Sequence, residues 1–258
     1  MANIHPTAQI SDHVTLAEDV HIGPFCVLDG HISIGKGTIL KAGVHIWGNV
    51  TIGEQNTIHS HAVIGDTPQD LSYDDGIDSE VIIGDHNIIR EQVTIHRGAT
   101  QGGVTRLGNH SLLMAVSHLG HDSSVGNHSI IANNCLLGGH VSVGDRVFLG
   151  GGAAVHQFIR IGNYAMCQGN SSISQDLPPY CMSYQLNKLV GLNSVGLKRG
   201  GFSVDERKEI KRLFTLLYQS KLNLSDAIQA ASQEEWSDHA SLLLEAVKSP
   251  SRKGVMTR

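Results

Sequence analysis

An aliphatic residue recurs at every sixth position over most of this chain and limits the folds that it can adopt. The first series holds only isoleucine and leucine: Ile4, Ile10, Leu16, Ile22, Leu28, Ile34, Leu40, Ile46, Ile52, Ile58 and Ile64. The same phase resumes at Ile83, Ile89 and Ile95. It then continues through Leu107, Leu113, Leu119, Val125, Ile131, Leu137, Val143, Leu149, Val155, Ile161, Cys167 and Ile173. A period of six fits neither an α-helix, with about 3.6 residues per turn, nor long antiparallel hairpins.

This period is typical of very short strands joined by tight bends. Three segments of about six residues close a triangular coil, and successive coils pair as parallel strands about 4.8 Å apart. The residue four places after each periodic position should also point inward, and from Leu119 onward these residues are small or aliphatic: Ser123, Ser129, Cys135, Val141, Val147, Ala153, Ile159, Ala165 and Ser171. The sequence therefore predicts a parallel β-helix, with Cys26, Cys135 and Cys167 as core residues.

Breaks in the period indicate the domain organisation. Polar stretches at 66–80 and 97–106 interrupt the series and predict inserted loops, which are often functional. The prolines of "QDLPPY" end the repeat because proline cannot donate a ladder hydrogen bond. We expect a β-helix over residues 1–187 and a small α-helical domain over 188–258. That second part opens its main helix with a Ser203–Glu206 capping box.

Charge and composition exclude several classes of protein. The net charge is -5, which argues against a nucleic-acid-binding protein. The first segment carries net -9 and the second net +4, so an acidic partner would fit the C-terminal part. The N-terminus lacks the pattern of a signal peptide, no long apolar run predicts a membrane span, and the four cysteines lack C-x-x-C spacing. These features favour a reduced, cytoplasmic protein.

The coil repeat places chemically useful residues around "SHLGHDSSVG". Residues 18 apart should lie on adjacent coils, so that Gly139 follows His121 in one column and Gln157 follows Gly139. In the neighbouring column His140 lies above Asp122. A neutral histidine can accept a proton at neutral pH, a carboxylate can orient it, and a bare glycine N–H can stabilise an oxyanion. No serine or cysteine lies in a nucleophile motif, which favours direct attack by a substrate hydroxyl.

Other interpretations of the histidines stay open at this stage. A histidine on a coil surface is most often solvated or buried in a subunit interface. A histidine cluster can also bind a metal, although the sequence contains no H-x-x-x-H motif. A coil that serves only as a scaffold is a third interpretation.

The chain closely resembles the acyl-[acyl-carrier-protein]–UDP-N-acetylglucosamine O-acyltransferases, which begin lipid A biosynthesis. The resemblance covers essentially the whole chain. It is carried by the strings "IHPTA", "IGPFC", "QDLSY", "IREQVTIHRGATQGG", "LLMAVSHLGHDSSVGNHSIIANN", "GGHVSVGD", "AVHQFIRIG", "QDLPPY" and "VGLKRGGFS". "TIHRG", "HxxHD" and "VHQF", in this order, are the specific signals.

The resemblance implies a left-handed parallel β-helix, a helical C-terminal domain and a homotrimer with sites between subunits. It makes His121 the general base, Gly139 the oxyanion donor and Asp122 the support of the base. Residues implied in substrate binding are Asp70, His96, His118, His140, Gln157, Gly169 and Arg199. Among these, Gly169 would set the acyl length, with a long chain of about 14 carbons expected. The implied partners are 3-hydroxyacyl-acyl carrier protein and UDP-N-acetylglucosamine, with no cofactor and no metal.

The sequence departs from the family pattern at two positions that bear on the acceptor. Ser72 stands where a lysine is usual, and Gly200 stands where a second arginine is common. Charge-assisted contacts to phosphate or carrier should be weaker as a result. The alternatives are a related acyltransferase that uses another UDP-amino sugar or acyl-coenzyme A, and a zinc-dependent hydratase of the carbonic anhydrase kind.

Overall fold

The β-strands of the computed structural model, which describes residues 1–257, form three sheets that we name A, B and C. Sheet A contains Asn3–Ile4, His21–Ile22, Ile39–Leu40, Thr57–Ile58, Ile88–Ile89, Leu112–Leu113, Ile130–Ile131, Phe148–Leu149, Met166–Cys167, Cys181–Tyr184 and Lys188–Leu192. Sheet B contains Gln9–Ile10, Val27–Asp29, His45–Trp47, Val63–Asp66, Thr94–His96, His118–Leu119, Leu136–Leu137, Ala154–Val155 and Ser172–Ile173. Sheet C contains Val14–Leu16, Ile32–Ile34, Asn49–Ile52, Glu80–Ile83, Val104–Leu107, Ser124–Val125, Ser142–Val143 and Arg160–Ile161.

The sheets are the three faces of a left-handed parallel β-helix, as predicted. Up to Ser172–Ile173, each strand pairs in parallel with the strand one coil away, for example His118 with Leu136 and Ser124 with Ser142. Up to Arg160–Ile161 the chain passes from A to B to C in every coil. The periodic side chains from Ile22 to Ile173 are buried in the centre. Ile4 is 45% exposed, because the first coil has a neighbour on one side only.

Strand pairing shortens both predicted loops. Asp66 and Glu80, the ends of the first predicted loop, belong to strands of sheets B and C. The strand Val104–Leu107 begins inside the second, because Glu80–Ile83 pairs with it in register. The inserted segments are therefore 67–79 and 97–103, and each extends the chain between sheet B and sheet C.

The C-terminal helices follow a hairpin that caps sheet A. Cys181–Tyr184 adds to the sheet in parallel and then pairs antiparallel with Lys188–Leu192, so that β-structure continues past the predicted division at residue 187. The helices are α1 (Ser194–Arg199), α2 (Val204–Gln219), α3 (Leu224–Ala231) and α4 (Asp238–Lys248).

Helix α2 has the predicted capping box and a buried stripe made of Ile210, Leu213, Phe214 and Leu217. In residues 1–257, none of the helices has both the length and the apolar character needed to cross a bilayer.

Candidate active site

The corner between sheets B and C brings together the residues that the coil repeat placed in register. The His140 N–H donates to the His121 carbonyl at 2.9 Å, and the Phe158 N–H donates to the Gly139 carbonyl at 3.0 Å. Asp122, His140 and Phe158 turn this corner with positive φ angles of 56°, 59° and 69°. Such left-handed backbone is uncommon for residues with a Cβ, and here it is enforced by the ladder on either side. The predicted stacking over 18 residues is observed.

His121 and Asp122 form a hydrogen-bonded pair at this corner. The imidazole Nδ1 lies 2.8 Å from Asp122 Oδ2, and the two side chains are 20% and 10% exposed. The same oxygen accepts a hydrogen bond from the Ala99 N–H at 2.9 Å. A carboxylate that accepts from Nδ1–H fixes the tautomer whose Nε2 is free to accept a proton. The pair therefore has the arrangement of an oriented general base.

Gly139 lies directly above the other ring nitrogen. A Cβ on Gly139 would overlap His121 Nε2, so a side chain here would displace the imidazole. Within residues 1–257 the Gly139 N–H donates to no acceptor, whereas the adjacent Gly138 N–H donates to the Val155 carbonyl. A free N–H next to a basic nitrogen is the arrangement that oxyanion stabilisation requires.

A groove of about 760 Å³ runs along sheet B, and His121 is one of the residues that line it. Five of the predicted residues line it, namely His96, His118, His121, Gly139 and Gln157. Its exposed apolar residues are Val116, Leu136 and Ala154, which suit an alkyl chain.

His96 and His118 lie beside each other within this groove, with ring centroids 4.8 Å apart. Burial lowers the pKa of His118 to about 4, helped by the charges of His96 and His121, and burial also lowers the pKa of His96. Both rings are therefore neutral at pH 7 and act there as hydrogen-bonding groups rather than as cations.

His140 is held by contacts on two sides. Its Nε2 lies 3.8 Å from Asp122 Oδ2, and its ring stacks on Phe158 with centroids 4.6 Å apart. Burial lowers the pKa of His140, and the carboxylate of Asp122 opposes that shift.

Asp70 is exposed in the first inserted segment and does not line the groove, although its neighbour Gln69 does. Its Oδ1 accepts hydrogen bonds from the Ser72 N–H at 2.9 Å and from the Ser72 hydroxyl at 2.8 Å, which lower the pKa of Asp70. The serine at the position of the expected lysine therefore holds Asp70 as a carboxylate.

The structure does not bring Gly169 or Arg199 to the groove of its own chain. Gly169 lies at the corner between sheets A and B, above Gly151. Arg199 is exposed at the end of α1. The following Gly200 packs on the Tyr164 ring, where a larger side chain would clash.

Sequence reasoning missed several groove residues. The Thr94 hydroxyl lies 2.7 Å from His118 Nδ1, and Gln92, Asn134, His156 and Ser172 also line the groove. Thr94 pairs with His118 across 24 residues rather than 18, because the second inserted segment lengthens that coil. The outward residue before each periodic position of sheet B was the signal that could have identified Thr94 and Ser172.

Comparisons with known proteins agree with this architecture. The family model described as bacterial transferase hexapeptide (six repeats) matches residues 31–66, and the one described as Udp N-acetylglucosamine O-acyltransferase, domain 2, matches residues 176–256. Curated relatives named acyl-[acyl-carrier-protein]–UDP-N-acetylglucosamine O-acyltransferase include those of Syntrophobacter fumaroxidans and Halorhodospira halophila. The first is 43% identical over 98% of this chain and 99% of its own, and the second is 45% identical over 91% of both.

A solved structure supports the same assignment. The UDP-N-acetylglucosamine O-acyltransferase of Moraxella catarrhalis superposes with a TM-score of 0.93 at 39% identity, over 98% of this chain and 99% of the other. Similarity of this extent in sequence and in structure leads to one conclusion: this chain belongs to the acyl-[acyl-carrier-protein]–UDP-N-acetylglucosamine O-acyltransferase family, and it is an acyltransferase.

Proposed function

We propose that this chain transfers a 3-hydroxyacyl group from acyl carrier protein to the 3-hydroxyl of UDP-N-acetylglucosamine, the first step of lipid A biosynthesis, with His121 as general base. The observation that carries the assignment of the base is the His121–Asp122 pair beneath the free Gly139 N–H, with His121 lining the groove on sheet B.

The reaction proceeds without a covalent enzyme intermediate. His121 Nε2 takes the proton of the sugar 3-hydroxyl while its oxygen attacks the thioester carbonyl. Asp122 stabilises the resulting imidazolium through Nδ1, and the Gly139 N–H stabilises the oxyanion of the tetrahedral intermediate. Collapse breaks the carbon–sulfur bond, and the carrier thiol leaves with the proton that His121 returns. The four cysteines are buried, which supports direct attack rather than a thiol nucleophile.

The remaining predicted residues bind the substrates. His96, His118 and Gln157 lie along the groove, and His140 stands beside the reacting pair. Asp70, Gly169 and Arg199 lie away from the groove of their own chain, which supports a homotrimer whose sites combine residues of neighbouring subunits. We place this trimer in the cytoplasm, where acyl carrier protein is available.

The carrier contacts the basic C-terminal part. Several of its cations already have partners within the chain, since Lys208 pairs with Asp205 and Arg212 pairs with Glu234. Lys198 and Arg199 are exposed in the last turn of α1, and they are the cations that we assign to the acidic carrier.

The test is product analysis by mass spectrometry. Purified enzyme is given acyl carrier proteins that bear 3-hydroxyacyl chains of several lengths, with UDP-N-acetylglucosamine or its 3-amino analogue as acceptor. We expect an ester at the 3-position with the first acceptor. An amide formed only with the analogue would contradict the proposed acceptor. Transfer only from acyl-coenzyme A would contradict the proposed donor. Zinc-dependent hydration of carbon dioxide would contradict the assignment of acyl transfer as the reaction.

A further inference from the structure

We propose that His121, Asp122 and His140 also form a binding site for Zn²⁺, and that zinc bound there reversibly inhibits the enzyme. One donor atom from each residue lies within 4.8 Å of the other two. Asp122 Oδ2 is at the centre, 2.8 Å from His121 Nδ1 and 3.8 Å from His140 Nε2. The inhibitory effect rests on the proposed role of His121 as base, whereas the metal site does not.

The donor set and its spacing suit zinc. Two imidazole nitrogens and one carboxylate oxygen are common zinc ligands, with bonds of about 2.0–2.2 Å in tetrahedral geometry. Such geometry separates the ligand atoms by about 3.4 Å. The observed separations of 2.8 Å and 3.8 Å lie on either side of that value, so small side-chain rotations bring the donors into place. The fourth position is left to water.

The neighbouring residues hold the donors in place. The Ala99 N–H donates to Asp122 Oδ2 at 2.9 Å, and Phe158 stacks on the His140 ring. Hydrogen bonds and packing around the ligands strengthen metal sites, because they reduce the freedom that the ligands lose on binding.

A second group of histidines in the same chain provides a matched control. His86, His110 and His128 stack with centroids 4.8 Å and 4.9 Å apart and with interplanar angles of 3°. Parallel rings direct their nitrogen lone pairs side by side rather than toward one point. Within residues 1–257, His121, Asp122 and His140 are the one group of three such donors that converges.

Bound zinc would remove the base. A metal ion on His121 Nδ1 displaces the Nδ1 proton, which now forms the hydrogen bond to Asp122. The neutral ring then carries its proton on Nε2. That nitrogen then cannot accept the proton of the sugar hydroxyl. Removal of the metal by a chelator restores the reactive tautomer.

Binding is tested with ZnCl₂ on the full chain after treatment with a chelator, by calorimetry and by elemental analysis. We expect one zinc per chain. Asp122→Asn and His140→Ala should each weaken binding by about tenfold or more, and His110→Ala should bind as the wild type does. Melting curves verify that each variant is folded. Equal affinity in the wild type and both cluster variants, or no zinc bound by the wild type, would overturn the site.

Turnover is measured separately on the same samples. We expect full activity in the chelator-treated enzyme, and inhibition by zinc with a midpoint that matches the binding curve. Activity that requires zinc would overturn the inhibitory role. A chain that binds zinc at the cluster but transfers no acyl group would contradict the proposed function alone. A chain that transfers acyl groups but binds no zinc would contradict the metal site alone.

Discussion

Two corners of the β-helix carry histidines on the same backbone and differ in chemistry. At the corner between sheets C and A, His110 and His128 have positive φ angles of 55°, close to the 59° of His140 at the corner between sheets B and C. In the first corner the exposed rings stack in parallel, and in the second the His121 and His140 rings meet at 87°.

The residue that precedes the left-handed position makes the difference. In the first corner it is an asparagine or an aspartate, whose oxygen accepts from the backbone N–H one coil away. For example, Asn127 Oδ1 accepts from the Asn109 N–H at 2.8 Å. In the second corner the equivalent residues are His121, Gly139 and Gln157, so no such ladder forms. At the first corner this position stabilises the coil through hydrogen bonds, and at the second corner its side chains remain available for catalysis.

Replacing one histidine at each corner should give the largest difference in turnover between the two corners. We expect His121→Ala to lower turnover by about 10²–10⁴-fold, because it removes the general base. The melting temperature should stay close to that of the wild type, because His121 is not part of the core. His110→Ala, at the other corner, should keep wild-type turnover in the same product assay. Near-normal activity of His121→Ala would exclude His121 as the base.

Gly139→Ala should have the next largest effect. The new Cβ overlaps His121 Nε2 and pushes the ring away from the oxyanion donor, and we expect a loss of turnover of about 10²-fold or more. Gly151→Ala, at the corner between sheets A and B, is the control, because its Cβ comes no closer than 3.3 Å to the Asn133 carbonyl. Equal steady-state rates for both variants would show that the glycine is not needed above His121.

Gly103→Ala tests the support of Asp122 by the second inserted segment. A Cβ at this position overlaps Asp122 Oδ1, so the carboxylate must shift relative to His121. We expect turnover to fall by about ten- to hundredfold and its pH profile to move, because the base loses its partner. Gly76→Ala in the first inserted segment, where the Cβ lies 3.3 Å from Asp74 Oδ1, should leave turnover and its pH profile unchanged. An unaltered pH profile of turnover in Gly103→Ala would show that the second inserted segment does not support catalysis through Asp122.

The buried His118 should make folding sensitive to acid. Its pKa in the folded state is about 4, below the ordinary 6.5, so the unfolded chain binds more protons between these values. The contribution of neutral His118 to the free energy of unfolding is therefore fully present above pH 6.5, and it is lost as the pH is lowered toward 4. Between pH 6.5 and pH 4 we expect the melting temperature of His118→Asn to fall by a few degrees less than that of the wild type. His110→Asn, on the exposed stack, should show the wild-type decrease. Identical slopes in all three proteins would contradict the prediction.

Gly169→Met should alter selectivity with little loss of rate. Gly169 lies at the third corner, and in the proposed trimer a methionine there would shorten the acyl groove of a neighbouring subunit. We expect the preferred chain to become shorter in a competition between acyl carriers. An unchanged product distribution would remove Gly169 as the residue that limits chain length.

The coil, its register and the central site residues can all be predicted from the repeat in the sequence. A strict period of six fixes which residues lie inward, because one aliphatic side chain per segment must be buried. An unbroken phase from Leu107 to Ile173 then places Gly139 above His121 and His140 above Asp122, because ladder hydrogen bonds allow only one register.

The contacts that cross the inserted segments depend on how the chain packs in three dimensions. The sequence could not show that the Ala99 N–H reaches Asp122, or that Thr94 bonds His118, because loop conformation and side-chain rotamers depend on packing between distant residues. It also left open whether Asp122 turns toward its chain neighbour His121. The left-handed backbone at Asp122 and the donor from Ala99 fix that orientation, and they create the pair on which the proposed chemistry depends.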